Sequence, residues 1–223
     1  MTQHVIFGAG SLANLAYWYA NESGHFTIDA FVVDDEYLVK AKSAFAEVPL
    51  IGWAEFSKQY PTSTTKVFAA IGYKSMRARA AAFHKIAAAG YSSFNIQATT
   101  AYVASNANIG LNNIFMPNVV IEPFVSIGNN NVFWSNATVC HDTIVGNHNF
   151  FASNCTIGGQ VSIGDLNFFG FSSTVIQKMQ LQNETLIAAS SLVINSTEAF
   201  SRYQGSPAIR FASVSEELGV CIQ

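Results

Sequence analysis

His141 and Asp142 stand side by side in Val139-Cys140-His141-Asp142-Thr143, and a histidine next to a carboxylate is the smallest unit suited to general-base work. The carboxylate fixes the imidazole tautomer and favours the imidazolium, leaving the other ring nitrogen to take a proton. Adjacent strand residues face opposite ways, so contact between these two side chains requires a corner in the chain. The other histidines offer less. His4 opens a strand, His25 lies in a loop, His84 falls in an Ala-rich helix, and His148 follows His141 without an acidic neighbour. His141 and His148 do not make up the three-histidine set of a zinc hydrase. Cys140, Cys155 and Cys221 form no CxxC pair, which reads as reduced thiols rather than a disulfide frame or a zinc site.

A second constellation lies near the start of the chain. The apolar run His4–Phe7 leads into Gly8-Ala9-Gly10-Ser11-Leu12-Ala13, then into Leu15, Ala16, Tyr17, Trp18 and Tyr19 at helical density. Strand, glycine turn and helix in this order aim backbone N–H groups and a helix N-terminus at phosphate oxygens. The same turn could simply pack helix against strand. A second strand, Thr27–Val33, ends in Asp34-Asp35, carboxylates that could accept hydrogen bonds from a ribose or a base, or be solvated turn residues. The pattern further predicts a helix over Trp53–Tyr60, a strand over Lys66–Ile71, a turn at Gly72-Tyr73-Lys74-Ser75, an Ala-rich helix stopped by Gly90, and a fourth strand over Tyr91–Ile96.

His141 itself lies in a different kind of sequence. Every sixth residue from Val103 to Val193 is apolar, and stepping by eighteen places Phe115, Phe133, Phe151 and Phe169 in one column and Gly110, Gly128, Gly146 and Gly164 in another. Three hexads therefore make one turn of a triangular prism of parallel strands, with inward aliphatic or aromatic side chains and Gly or Asn at corners. About five coils fit between residues 101 and 198. Corner positions account for much of the asparagine excess there.

Composition bounds the function. Eleven basic against fourteen acidic residues give a net charge of −3, which argues against a polyanion-binding protein. Half the residues are hydrophobic and 18 are Phe, so the chain folds. No apolar run approaches the roughly 20 residues that cross a bilayer, and Met1-Thr2-Gln3-His4 enters a strand without a signal-peptide pattern, so a cytoplasmic location is expected. Residues 101–198 carry only six charged side chains, Glu122, Asp142, Asp165, Lys178, Glu184 and Glu198. Phe150, Phe168, Trp134, Ile114 and Ile144 lie off the inward positions, and such apolar patches on a charge-poor wall point to association.

An α/β segment, five hexapeptide coils, a His-acidic pair early in the prism and a closing Gly205-Ser206-Pro207-Ala208-Ile209-Arg210 together resemble the bacterial sugar acyltransferases of the PglD/NeuD/VioB type. The most specific elements are His141-Asp142-Thr143-Ile144-Val145-Gly146, Gly158-Gly159-Gln160-Val161-Ser162-Ile163-Gly164 and Gly205-Ser206-Pro207-Ala208. The resemblance implies a Rossmann-like nucleotide-sugar domain over residues 1–98, a left-handed parallel β-helix over 99–198 and a C-terminal segment over 199–223 near the CoA site. It implies His141 as the base, Asp142 as its orienting acid, and the Gly159 N–H as the donor to the thioester oxyanion. Gly8, Gly10, Ser11, Asp34, Asp35, Gly72 and Lys74 would hold the nucleotide sugar; Gly159, Ala188, Ser206, Pro207 and Arg210 would meet CoA. Leu12 departs from the pattern, standing where relatives often carry a histidine. The expected activity is acetyl-CoA-dependent N-acetylation of a nucleotide-linked amino-dideoxy sugar by a homotrimer without metal. O-acetylation of a sugar such as sialic acid and a non-catalytic trimeric scaffold are the alternatives.

Overall fold

The computed structural model describes residues 2–41 and 47–222; Met1, residues 42–46 and Gln223 lie outside the description. The N-terminal part is a parallel sheet of β1 (Gln3–Phe7), β2 (Ala30–Val33), β3 (Leu50–Gly52) and β4 (Thr65–Ala69), in the order β3-β2-β1-β4. Helix α1 (Ser11–Ser23) buries Leu12, Ala13, Ala16 and Ala20, a stripe at three- and four-residue spacing, and ends at Gly24 in the left-handed conformation. It covers the sheet face that carries Ile6, Phe31 and Phe68. The opposite face, with Val5, Phe7, Val32 and Val67, packs against Phe56 of α2 (Trp53–Gln59) and Ile86 of α3 (Met76–Ala88). Ser75 caps α3, its side chain accepting from the Ala78 N–H at 3.2 Å.

The expected fourth strand at Tyr91–Ile96 is not part of this sheet. Only Ser92 bridges to Lys66, while Ile96–Gln97 pairs with Ile114–Phe115 and opens the second architecture. The apolar side chains of Phe94 and Ile96 belong to the core that joins the two parts, which draws the segment onward.

From Ile96–Gln97 to Leu192–Val193, seventeen two-residue strands, β5–β21, wind as a three-sided parallel β-helix that fits the left-handed type expected from the repeat. Each pairs with the strand eighteen residues away, as Val132 does with Ile114 and Phe150. A residue with φ near +60° recurs every sixth position, from Asn112 through Asp142 and His148 to Ser190, and these corners turn the chain. Phe115, Phe133, Phe151 and Phe169 stack down the interior with ring centroids 4.6–5.2 Å apart.

Asparagine does more than turn corners. Asn113, Asn131, Asn149 and Asn167 are fully buried inside the prism, each side-chain oxygen accepting the backbone N–H of the residue one coil on, at 2.6–2.9 Å. An outer column repeats the device in the other direction: Asn147, Asp165 and Asn183 accept from the N–H of Asn129, Asn147 and Asp165. These ladders satisfy corner N–H groups that the short strands leave unpaired.

The apolar wall also differs from expectation. Ile96, Ile114, Val132 and Phe150 form one outward column at eighteen-residue spacing and are all buried, because the N-terminal part lies on this face within the same chain. Trp134 and Phe168 are half-buried against the same cluster, and only Ile144 of the five residues expected to form open patches stays exposed, at 58 %. Beyond the prism, β22 (Ser201–Gln204) runs parallel to Leu186–Ile187 and β23 (Ile209–Ser213) returns antiparallel to it. Residues 214–222 then fold back to α3.

Candidate active site

His141 lies on the corner between Thr138–Val139 and Ile144–Val145, and the positive φ of Asp142 (57°) turns that carboxylate back onto its neighbour. His141 Nδ1 and Asp142 Oδ2 are 2.8 Å apart. A carboxylate accepts only, so Nδ1 carries the proton and Nε2 is left as the base. Both side chains are about half exposed. Gly159 lies one coil on, and a Cβ there would stand 2.8 Å from Cε1 and Nε2 of His141, so the ring covers a position that only glycine fits. Among the described residues the Gly159 N–H donates no hydrogen bond, although the neighbouring Gln160 N–H is spent on His141 O at 3.0 Å. An imidazole with a free Nε2, the carboxylate on its other nitrogen and an unused N–H donor are thus adjacent.

Glu122 escaped the sequence reading. Its Oε2 accepts the His141 backbone N–H at 2.7 Å, fixing the corner from the coil before. The signal was available, because residues about eighteen apart are neighbours in this repeat. Burial first, and Glu122 beside it, push the Cys140 thiol pKa up.

The second candidate region lies at the carboxyl ends of β1, β2 and β4. One cavity of about 340 Å³ is lined by Gly8, Gly10, Asp34 and Tyr37, and a second of about 540 Å³ by Gly10, Ser11, Leu12, Gly72, Tyr73 and Lys74 together with Trp134 and Phe150 of the prism. They share Gly10 and Ile71. Gly8 has φ of 127° and a Cβ would stand 2.7 Å from Ala70 O, so the turn has no room for a side chain. Leu12, where a histidine was noted as missing, is buried in the wall of the larger cavity beside Tyr73, whose ring lies 5.5 Å from Phe150.

The two aspartates separate. Asp34 lines the smaller cavity and pairs with Lys85, whose ammonium lies 4.3 Å from the centre of the Trp53 ring. Asp35 instead accepts the Ala54 N–H at 3.2 Å at the start of α2. Ala188, Ser206, Pro207 and Arg210 lie around the hairpin of β22 and β23: Ala188 N–H bonds Tyr203 O, the Ser206-Pro207 bond is cis, and Arg210 pairs with Glu198 at 3.0 Å. His148 occupies a corner, with φ of 62°, but is covered by α3. It bonds Asn130 at 2.9 Å and meets His84 at 5.1 Å between ring centres, and burial first and His84 second lower its pKa to about 4. That environment disqualifies it as a solvent-facing base. Among the described residues, no group of three or more His, Cys, Asp or Glu is placed to hold a metal ion.

No family model and no curated protein matches the chain. Solved structures do. PerB from Caulobacter crescentus, solved with CoA and GDP-perosamine, superposes with a TM-score of 0.84 at 23 % identity over 95 % of this chain and 98 % of its own. The acetyltransferase domain of PglB from Neisseria gonorrhoeae gives 0.83 at 18 % identity over 95 % and 100 %. WeeI from Acinetobacter baumannii gives 0.82 at 16 % identity over 95 % and 100 %. This chain shares their fold over about 95 % of its length.

Proposed function

We propose that the protein is an acetyl-CoA-dependent N-acetyltransferase acting on a nucleotide-linked amino-dideoxy sugar. The observation that carries the reading is the His141–Asp142 pair at 2.8 Å over Gly159 on a prism corner. Support comes from the shared fold, since PerB binds CoA and GDP-perosamine and the PglB domain was also solved with acetyl coenzyme A. In this reading the part before Ile96 is a Rossmann-like domain that holds the nucleotide sugar. The coils from Ile96 to residue 198 are the left-handed β-helix that carries the chemistry, and the segment from residue 199 onward approaches CoA.

The acceptor amine, unprotonated, attacks the thioester carbonyl carbon. His141 Nε2 takes one amine proton while Asp142 steadies the imidazolium, and the Gly159 N–H donates to the oxyanion that forms. Collapse breaks the carbon–sulfur bond, the amide is released, and the proton held by His141 leaves with the CoA thiol. Gly8, Gly10 and Ser11 supply the phosphate turn, Gly72 and Lys74 the opposite rim, Asp34 the ribose or base contact; Gly159, Ala188, Ser206, Pro207 and Arg210 receive CoA.

Geometry adds a requirement. The larger cavity uses Trp134 and Phe150, from the prism face that pairs Val132 with Phe150, whereas His141 lies on the corner joining the other two faces. A sugar in the cavity of one chain is therefore on the far side of the prism from that chain's own base. In this reading His141 of a second copy completes the site, and a closed trimer would supply it three times over.

The test follows thiol release from acetyl-CoA with UDP-, dTDP- and GDP-linked 4-amino-4,6-dideoxyhexoses and their 4-hydroxy counterparts. The amino sugar is expected to turn over faster, and His141→Ala to lower kcat by roughly 10² to 10⁴ with nucleotide-sugar binding retained. Full activity in the His141→Ala protein would move the base elsewhere, and preference for the hydroxy sugar would replace N- by O-acetylation.

A further inference from the structure

After β23 the C-terminal segment returns to the N-terminal part and pairs with the turn between β4 and α3. The Met76 N–H donates to Val220 O at 3.1 Å, the Ile222 N–H donates to Lys74 O at 2.9 Å, and Cys221 bridges Ser75 antiparallel. Gly72, Tyr73, Lys74 and Ser75 of that turn line the larger cavity.

Arg77, in the first turn of α3, ties the parts together. Its Nε and Nη2 bond both oxygens of Glu184 at 2.7–3.1 Å, and its Nη1 donates to Glu216 O and Glu217 O at 2.8 Å each. Glu184 is a buried prism corner residue with φ of 53°. Gly219 has φ of 67°, and a Cβ there would collide with Glu184 and with the Arg77 guanidinium. Between its ends the segment arches over a cavity of about 350 Å³ beside Leu186, Arg202 and Cys221. Val214 and Val220 are its buried apolar pegs. Charge-assisted hydrogen bonds at Arg77, the backbone pairing at Ser75 and these two core side chains hold it in place.

We infer that residues 214–222 are a latch that positions the acceptor turn Gly72–Ser75, with Arg77 as its positioning residue; the inference rests on the nucleotide-sugar reading of the larger cavity. With the latch docked, Lys74 O and the Met76 N–H are fixed on either side of Ser75, and the turn presents one geometry to the sugar nucleotide. Released, the turn must be ordered by the ligand, and the cost appears as weaker acceptor binding. The latch also continues directly from the strand that carries Arg210, so donor-side and acceptor-side residues lie on one uninterrupted piece of chain.

The test compares Arg77→Ala and Gly219→Ala with wild type and with Leu218→Ala, whose side chain is 61 % exposed. Gly219→Ala undocks the latch by straining its left-handed backbone and crowding the Arg77–Glu184 pair while both of those side chains stay in the chain, so the test survives if Arg77→Ala folds poorly. Both are expected to raise the KM for the nucleotide amino sugar about tenfold or more while the KM for acetyl-CoA and kcat stay near wild type, and to speed hydrogen exchange at the Met76 amide. Leu218→Ala should leave all four readouts unchanged. Unchanged acceptor KM in both variants, with the Met76 amide exposed, overturns the latch alone, as does an equal rise in both KM values. Wild-type protein that binds none of the nucleotide amino sugars overturns the reading beneath it, and the latch's role with it.

Discussion

The N-terminal layer and the prism obey different rules of neighbourhood. In the prism a residue touches the positions eighteen away, so Phe133 stacks on Phe115 and Phe151, and Asn131 bonds Asn113 and supports Asn149. In the α/β layer, β1 pairs with β2 and β4 across unequal loops, and α1 faces the sheet on one side and the prism on the other. The first region can be read from a ruler laid along the sequence. The second can be read only once its partner is known, and the seam between them belongs to neither rule.

The sharpest way to break this comparison is to remove one ring from the interior stack. Phe133→Ala should cost about 3–5 kcal/mol, since a fully buried aromatic leaves a void that the flanking rings cannot fill. Because Ile6, Phe31 and Phe68 share one continuous core with Phe133, the two regions should lose stability together. Urea titration followed by tryptophan fluorescence and by hydrogen exchange of the β1 amides would check it. A prism that melts while β1 keeps its full protection would show two independent units.

The same contrast explains what was legible beforehand. The prism, its corners and the His141–Asp142–Gly159 triplet followed from spacing and from the family resemblance, because each is local to one column. Phe150 and Ile114 suggest by type a surface for another subunit, although the outward column Ile96, Ile114, Val132, Phe150 marks a single covered face. Spacing shows that a face is apolar but not what covers it. The inward asparagines look like corner residues for a related reason: residue type suggests a turn, whereas position four after the inward Ile109, Ile127, Val145 and Ile163 places them inside. Arg77, Glu122 and Glu184 found no place in the reading because their partners lie 19 or 107 residues away and one partner of each pair is nondescript by motif.

The seam provides the next test. His148 lies beneath α3 with its pKa at about 4 against 6.5 for a free imidazole, chiefly through burial, with His84 and Arg79 adding to the effect and Asp165 opposing it. Between these two values the unfolded chain binds the proton more readily than the folded one. Stability from this group is therefore complete above pH 6.5 and is lost as pH falls towards 4. The loss should be on the order of 1–3 kcal/mol, after allowance for partial solvation. His148→Asn continues the column in which Asn112 bonds Asn130 and Asn130 bonds the imidazole, and it should flatten the acid limb between pH 6.5 and 4. Melting temperatures of both proteins across that range would decide. An unchanged slope would assign acid sensitivity to other groups.

The smallest effect separates two residues that the sequence treated as one. Asp34 lines the smaller cavity and pairs with Lys85, whereas both oxygens of Asp35 lie 3.2 Å from the Ala54 N–H at the start of α2, a helix whose own N-cap is Gly52 and lacks a side-chain acceptor. Asp35 thus acts as a cap supplied from another segment. Loss of a capping acceptor costs about 1 kcal/mol, so Asp35→Ala should lower stability by that amount and leave the KM for the nucleotide sugar unchanged. Asp34→Ala removes a partly exposed ion pair, which contributes little to stability, and should instead raise that KM several-fold if the carboxylate accepts from the nucleoside. Chemical denaturation and steady-state kinetics on the two variants give the full two-by-two comparison. Interchanged results, with Asp35→Ala altering KM and Asp34→Ala altering stability, would mean that the nucleotide lies over α2 rather than at the ends of β1 and β2, and the cavity beside Gly8 would lose its role.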